Sequence, residues 1–272
     1  MQDPFGHCEQ LVREADKDRF LATLFAPANR RGALFALYAF NLEIARVREV
    51  IREPMAGEVR LQWWRDALER PGAGEAKANP VAAALLDTII RFRLPVASLI
   101  ALTEARGFDL YNDPMPTLAA VEAYMQTTSS TLIDLAARIL DVNHADIAAA
   151  VRDAGIAYAI AGLLRAFPLH AARGQLYVPL EILERHGAKP EDIFAGRPTG
   201  EISAALAEMR RLAETHLYAY RQAAIPSAVA PAFLPAALVP LYLKGLERDP
   251  FKIADVPQWR RQWALWRAAR RM

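Results

Sequence analysis

The hydrophobic pattern of this chain repeats with the period of an α-helix almost from end to end, and strand patterns are nearly absent. No run of Val, Ile and Thr alternates with polar residues, and no Asn-Gly or Asp-Gly pair offers a hairpin turn. Prolines divide the helical pattern into segments, because proline is favoured in the first turn of a helix and disfavoured in its interior. The pattern predicts an all-α protein of about ten helices.

The first predicted helix is apolar almost all round, which is typical of a central buried helix. The predicted helices span residues 33–51, 58–68, 80–93, 95–107, 118–140, 145–167, 179–185, 201–223, 236–248 and 258–271. We expect Pro168 to end the helix over 145–167. No change in composition marks a domain boundary, so residues 1–272 are predicted to form a single domain.

Charge and hydropathy exclude several classes of protein. Lys and Arg number 33 and Asp and Glu number 31, and a net charge of +2 argues against a nucleic-acid partner. No window of about 18 apolar residues predicts a membrane-spanning helix. The single cysteine, Cys8, cannot form an internal disulfide, and the first residues lack the apolar region of a secretory signal. We therefore expect a cytoplasmic protein, and the frequent Ala and Arg are typical of a bacterium with a GC-rich genome.

Familiar catalytic signatures are absent from the sequence, including the Gly-rich nucleotide loops, the H-E-x-x-H zinc motif and the nucleophile elbow. Asp109 and Asp113 have the spacing that would place two carboxylates on one helix face, where they could bind Mg²⁺. Pro114 and Pro116 follow at once, and Asn112-Asp113-Pro114 is typical of a turn. We therefore favour a helix end or a turn over a metal site.

Three segments together resemble the squalene/phytoene synthase family. Residues 25–40 read FAPANRRGALFALYAF and are similar to the opening of that family, residues 62–65 read QWWR, and residues 173–179 read RGQLYVP. The resemblance covers about residues 18–250 and implies the isoprenoid synthase fold, a single helical bundle around a central cavity. It also implies a reaction, because active members join two prenyl diphosphates head to head with Mg²⁺ held by two facing Asp-rich helices.

Measured against that resemblance, the chain departs from the family at both acidic motifs. A departing diphosphate must be neutralised, and Mg²⁺ held by carboxylates at i and i+4 would do so. The degenerate positions are Ala45, Arg46 and Glu49 in the first motif, and Ala166, Leu169 and His170 in the second. One carboxylate remains in this set, and it cannot hold a binuclear magnesium site.

We expect the second motif helix to face the cavity with small residues. Gly155, Ala159, Gly162 and Ala166 form a stripe at helical spacing and carry no polar side chain. Asp18 lies where the family has an early diphosphate contact, and an acid there would repel a diphosphate. We therefore expect a pseudoenzyme with no catalytic residues, no cofactor and no metal. Mg²⁺ would be needed only if transferase activity persists.

A closer resemblance links the chain to a subgroup of the family, the complex I assembly factor 6-like proteins of mitochondria and their alphaproteobacterial relatives. Residues 37–50, 53–55, 57–65 and 109–116 carry it. It implies a role in assembly of respiratory complex I at the inner membrane, with a subunit of the peripheral arm as the partner. One rival hypothesis is a divergent prenyl-diphosphate transferase, and another is a protein that binds an isoprenoid lipid.

Three arginines are candidates for residual anion contacts. Arg46 stands at a former metal position, and Arg165 and Arg173 match positions that the family retains. Ordinary alternatives exist for all three. Arg46 belongs to a dense run of mixed charge over residues 43–60 that fits a solvated helix end. Arg165 and Arg173 could instead cap the helix that precedes Pro168.

The resemblance also implies which residues line the central cavity: Tyr38, Leu42, Tyr124 and Tyr158. An apolar cavity without metal could hold an isoprenoid lipid such as a quinone tail. A collapsed interior is the alternative, because the small residues at 159, 162 and 166 allow helices to approach closely. Aspartate in place of Ala166 would then be destabilising, since it would bury an unpaired charge.

The last predicted helix, over residues 258–271, combines tryptophan with arginine. Trp259, Trp263 and Trp266 fall at i, i+4 and i+7, beside five arginines and no acid. Such a stripe suits an interfacial membrane helix, in which each arginine contributes about 1 kcal/mol on anionic lipid. The chain would then be peripheral to the inner membrane. The alternative is a final helix that packs its tryptophans onto the bundle and leaves its arginines in water.

Overall fold

The computed structural model describes residues 3–51, 53–70, 76–141, 147–245, 251–252 and 256–271, and within them it contains helices and turns but no β-strand. The predicted all-α class is confirmed. In chain order the α-helices are α1 (Pro4–Ala15), α2 (Lys17–Thr23), α3 (Ala28–Ala45), α4 (Val47–Val50), α5 (Pro54–Glu69), α6 (Pro80–Phe92), α7 (Val96–Ala105), α8 (Leu118–Met125), α9 (Thr131–Leu140), α10 (Ala148–Arg165), α11 (Phe167–Ala172), α12 (Leu180–His186), α13 (Pro190–Phe194), α14 (Gly200–Gln222), α15 (Ala230–Phe233), α16 (Val239–Gly245) and α17 (Gln258–Ala269).

Helix α3 is the central buried helix that the sequence predicts. Most of its side chains are buried, and it packs against α1, α6 and α9. Phe40 meets Trp64 of α5 edge to face, with ring centroids 5.0 Å apart. The helix differs from the prediction at both ends: it begins at Ala28, and it ends at Ala45 because Arg46 leaves the helical region. The short helix α4 follows directly.

The segment predicted as one helix over 118–140 is interrupted. A π-helical turn at Gln126–Ser130 separates α8 from α9. Hydroxyl groups in this turn bond back to the backbone: Thr128 Oγ1 donates to Tyr124 O at 2.7 Å and Thr131 Oγ1 donates to Gln126 O at 3.2 Å. Such local bonds compete with the regular α-helical ladder, so the prediction of an unbroken helix is wrong here.

Helix α10 packs against α14, α9 and the π-helical turn. Gly155 allows α10 to contact the π-helical turn, since a Cβ atom at this position would lie 2.5 Å from Ser130 Cα and 2.6 Å from Ser130 N. Ser130 Oγ also donates to Arg152 O of α10 at 3.1 Å. The helix ends at Arg165, and Pro168 lies in the first turn of α11 instead of ending α10 itself.

The C-terminal part closes the bundle. A 3₁₀ turn at Leu234–Leu238 and α16 replace the single helix predicted over 236–248, of which residues 246–248 lie outside the described part. The final helix, α17, confirms the prediction over 258–271 to within two residues and packs on α2 and on the 3₁₀ turn. Helices α1, α2, α11, α13 and α15 were not predicted from the sequence pattern.

Candidate functional site

The positions that the resemblance assigns to the first acidic motif lie where α3 ends and α4 begins. Ala45 is the last residue of α3 and is half-buried. Arg46 Nε lies 2.9 Å from Glu49 Oε2, and Arg173 Nη1 lies 3.5 Å from Glu49 Oε1. The structure therefore brings two of the three candidate anion-binding arginines together, but their partner is the chain's own Glu49.

This group of side chains does not fit a magnesium–diphosphate site. Mg²⁺ needs near-octahedral oxygen ligands, and Glu49 offers one carboxylate that Arg46 and Arg173 already neutralise. Within the described ranges, no three His, Cys, Asp or Glu side chains lie close enough together to hold a metal ion. We assign no metal to these residues.

The positions that the resemblance assigns to the second acidic motif lie at the junction of α10 and α11. Ala166 caps α10 and is half-buried, and Leu169 is 46% exposed. The predicted inward stripe is wrong at Gly162, which is exposed and has no atom beyond its own helix within 4 Å of a Cβ position. Only Gly155 of the stripe is buried by a close helix contact. A charged side chain in place of Ala166 should therefore cost less folding stability than it would in a collapsed interior.

Asp18 is buried inside the bundle and holds four elements together. It accepts hydrogen bonds from Tyr242 Oη at 2.6 Å and from Tyr158 Oη at 3.3 Å. Its carboxylate also lies 3.8 Å from Arg165 Nη1 and 3.6 Å from Arg261 Nη1. Asp18 was predicted from the sequence to repel a diphosphate. In the structure it is enclosed by hydrogen-bond donors and cations from α10, α16 and α17.

The tyrosines of this Asp18 cluster are neutral donors. Burial raises the pKa of Tyr158 and of Tyr242 above the usual value, and the adjacent Asp18 carboxylate raises both further. Arg165 Cζ lies 3.8 Å from the centroid of the Tyr242 ring. Arg165 therefore contacts Asp18 and Tyr242, whereas Arg46 and Arg173 contact Glu49, so the three candidate arginines form two separate groups.

The four residues that were predicted to line the cavity lie in different surroundings. Arg19 of α2 lies between α3 and α10, with its Cζ 5.6 Å from the Tyr38 ring centroid and 5.2 Å from that of Tyr158. A guanidinium group thus contacts both tyrosines that were expected to line an apolar space. Leu42 instead lines an open concavity of about 550 Å³ together with Arg46 and Glu49.

Tyr124 belongs to a second buried cluster, which sequence reasoning missed. Asp109 is 7% exposed and accepts from Tyr124 Oη at 2.7 Å and from Tyr177 Oη at 2.6 Å. Arg106 Nη1 lies 3.2 Å from Asp109 Oδ2. Gln175 Nε2 donates to Asp109 O at 2.9 Å, which ties residues 173–179 to the 3₁₀ turn at Arg106–Leu110. The helix-end reading of Asp109 is confirmed, since Asp113 lies apart on an exposed loop.

His170 packs against this Asp109 cluster, with its ring centroid 4.6 Å from that of Tyr177. Burial lowers the pKa of His170 from 6.5 to about 4, although Asp109 acts in the opposite direction. Protonation is therefore easier in the unfolded chain than in the folded one. The contribution of neutral His170 to stability is full above pH 6.5 and is lost as the pH falls toward about 4.

Replacing His170 with phenylalanine should flatten this part of the pH profile. We expect the wild type to lose on the order of 2 kcal/mol more than His170→Phe over that pH range. Urea unfolding of both proteins at several pH values measures the difference. Identical profiles for the two proteins would contradict a buried neutral histidine.

The tryptophans of α17 do not pack onto the bundle. Trp259, Trp263 and Trp266 are 63%, 55% and 41% exposed, and Leu265 is the residue of this helix that joins the core. The rings of Trp263 and Trp266 stack at 5.0 Å. The packed alternative is therefore wrong. None of the described helices has the length and apolar character needed to cross a bilayer.

The sequence profile of squalene/phytoene synthases matches residues 12–267, which is nearly the whole chain. The chain belongs to the squalene/phytoene synthase family. A dehydrosqualene synthase crystal structure shares its fold, with a TM-score of 0.87 over 99% of this chain and 96% of that one, at 18% identity. The predicted isoprenoid synthase fold is thus confirmed.

Two relatives of this squalene/phytoene synthase family member have names that indicate different functions. A rat protein named NADH dehydrogenase (ubiquinone) complex I, assembly factor 6, is 30% identical over 255 residues, which cover 92% of this chain and 76% of the rat protein. A 15-cis-phytoene synthase from Synechococcus elongatus is 25% identical over 211 residues, which cover 72% of this chain and 67% of the synthase. The resemblance to the assembly factor 6-like subgroup is confirmed.

Proposed function

We propose that this squalene/phytoene synthase family member acts in the assembly of respiratory complex I and does not condense prenyl diphosphates. The similarity to the rat assembly factor, which extends over 92% of the chain, is the observation that carries the proposal. The partner that we propose is a subunit of the peripheral arm of the complex.

The charges at the two motif positions support a role without metal chemistry. Glu49 is the one carboxylate there, and Arg46 and Arg173 engage both of its oxygens. The resemblance assigns Ala166, Leu169 and His170 to the second motif, and none of these offers an oxygen ligand from its side chain. Productive ionisation of an allylic diphosphate needs several such ligands.

The position that we propose is peripheral to the inner membrane, on its cytoplasmic face. The exposed tryptophans of α17 and the arginines beside them support membrane contact. The central space does not favour an isoprenoid lipid, because the charged Arg19 lies between Tyr38 and Tyr158 there.

Deletion of the gene in its native host tests the proposed assembly role. We expect NADH:quinone oxidoreductase activity in isolated membranes to be lost, while total quinone and isoprenoid content stays normal. A plasmid copy of the wild-type gene is the control and should restore the activity. Unchanged oxidoreductase activity together with a missing C30 or C40 isoprenoid would contradict the proposal.

The second candidate is a divergent prenyl-diphosphate transferase, which the similarity to the Synechococcus elongatus phytoene synthase favours. Its signature is Mg²⁺-dependent release of pyrophosphate from farnesyl diphosphate by the purified chain. We expect no release above the rate without protein. Release that EDTA abolishes would establish the transferase instead.

A further inference from the structure

A groove on the surface separates α17 from the C-terminal end of α14 and from α16. Its volume is about 890 Å³, which lies within the range of about 300–1,000 Å³ typical of ligand pockets. None of the residues that match the acidic motifs lines this groove, and neither do Arg19, Tyr38 or Tyr158. The groove is therefore distinct from the space in which the family places its prenyl diphosphates.

One wall of the groove is apolar. Trp259 and Trp263 of α17 contribute exposed indole rings, and Ile225 and Leu241 face the groove from the other elements. Five alanines also line it, among them the exposed Ala224. Monomeric proteins seldom expose contiguous apolar surface of this kind without a ligand or a partner.

The polar lining of the groove carries one sign of charge. Arg221, Arg260, Arg267 and Arg271 line it, and no aspartate or glutamate of the described residues does. Among the described residues, none of these four arginines forms an ion pair with a carboxylate, and Arg260 lies over the ring of Trp259 at 5.3 Å. Four cations without a carboxylate partner in the described part of the chain, beside an apolar wall, select an anion that carries a hydrocarbon chain.

A buried hydroxyl at the groove adds a separate observation. Tyr220 is 4% exposed and lines the groove, its ring stacks on Phe233, and its Oη has no hydrogen-bond partner among the residues that the structure describes. An unpaired buried hydroxyl costs free energy, so such groups in native proteins usually have a partner.

We propose that this groove binds one anionic membrane lipid, with an acyl chain against Trp259 and Trp263 and the charged headgroup among the arginines. Surface contact alone needs only exposed tryptophans, whereas this site takes up a single lipid at fixed stoichiometry. The lipid site does not depend on the assembly role, and its test uses the purified chain alone.

Native mass spectrometry of the full chain with 1-oleoyl-lysophosphatidylglycerol tests the site. We expect a one-to-one complex, and binding about tenfold weaker for 1-oleoyl-lysophosphatidylcholine, whose headgroup has no net charge. Ala224→Trp should abolish the complex by filling the groove. Ala228→Trp is the matched control, because Ala228 is an exposed alanine of the same connection that does not line the groove.

A second pair of variants tests the headgroup. Arg267→Glu should weaken lysophosphatidylglycerol binding by about tenfold, because it reverses one charge at the groove. Arg270→Glu makes the same change in net charge at the C-cap of α17 but outside the groove, and it should leave binding within about twofold of the wild type.

Three outcomes would overturn the site. The first is equal affinity for the two lysolipids, and the second is equal binding by Ala224→Trp and Ala228→Trp. The third is displacement of the lysolipid by glycerol 1-phosphate at similar concentration, which would mean that the arginines bind a free phosphate and that the apolar wall contributes nothing.

Discussion

Replacing Asp109 with alanine is expected to lower the free energy of unfolding by about 3–5 kcal/mol, because it leaves a buried cation and two buried hydroxyls without their acceptor. Arg106 is 16% exposed in its side chain and has Asp109 as its carboxylate partner. Tyr124 and Tyr177 donate to the same carboxylate. Guanidinium unfolding followed by far-UV circular dichroism measures the change.

Asp113→Ala is the matched control for that experiment. Asp113 has the other position of the D-x-x-x-D spacing but lies on an exposed loop, so its replacement should change the free energy of unfolding by less than about 0.5 kcal/mol. Equal effects of the two substitutions would contradict the buried Asp109 cluster. They would also restore the hypothesis that both aspartates act as a pair.

Gly155→Ala is the second substitution with a large expected effect. The added Cβ would lie 2.5 Å from Ser130 Cα and 2.6 Å from Ser130 N, and backbone atoms of a packed turn cannot move away as a flexible side chain can. We expect a loss of about 3 kcal/mol in the free energy of unfolding, at the upper end of the usual cost of overpacking. Thermal unfolding of the purified variant measures it.

Gly162→Ala, on the same helix, is expected to have the opposite effect on the free energy of unfolding. No atom beyond the helix lies within 4 Å of a Cβ at Gly162, so alanine there should stabilise the chain by about 0.5–1 kcal/mol through its better helix propensity. Destabilisation by both substitutions would mean that α10 is closely packed along its whole length. That outcome would support the collapsed interior over the open surface at Gly162.

The helical class was predictable because periodicity is a local property of the sequence. The central position of α3 followed from a segment that is apolar almost all round. The π-helical turn at Gln126–Ser130 was not predictable in the same way, although its five residues are all polar and interrupt the apolar pattern. It depends on hydroxyl-to-carbonyl bonds within the turn and on close contact with Gly155 of another helix.

The polar clusters of the interior were beyond sequence reasoning for a related cause. Asp18 and its donor Tyr242 lie 224 residues apart, and Asp109 and its donor Tyr177 lie 68 residues apart. A single sequence gives no sign of such pairing. Asp18 therefore reads as an unfavourable acid at a diphosphate position, although the folded chain encloses it with donors and cations.

The exposure of the tryptophan stripe shows where periodicity misleads. The spacing of Trp259, Trp263 and Trp266 predicts one face of a helix but cannot tell which face meets the bundle. The buried face of α17 is set by Leu265, and the tryptophans therefore border the groove and the solvent.

Complementation of the deletion strain by the Glu49→Gln variant tests most directly whether the assembly role is independent of magnesium–diphosphate chemistry. Glu49 is the last carboxylate at the motif positions and is half-exposed, so its amide should fold normally. We predict that wild type and Glu49→Gln restore NADH:quinone oxidoreductase activity in membranes to the same level. Restoration by the wild type alone, with equal amounts of both proteins in the cell, would contradict the account.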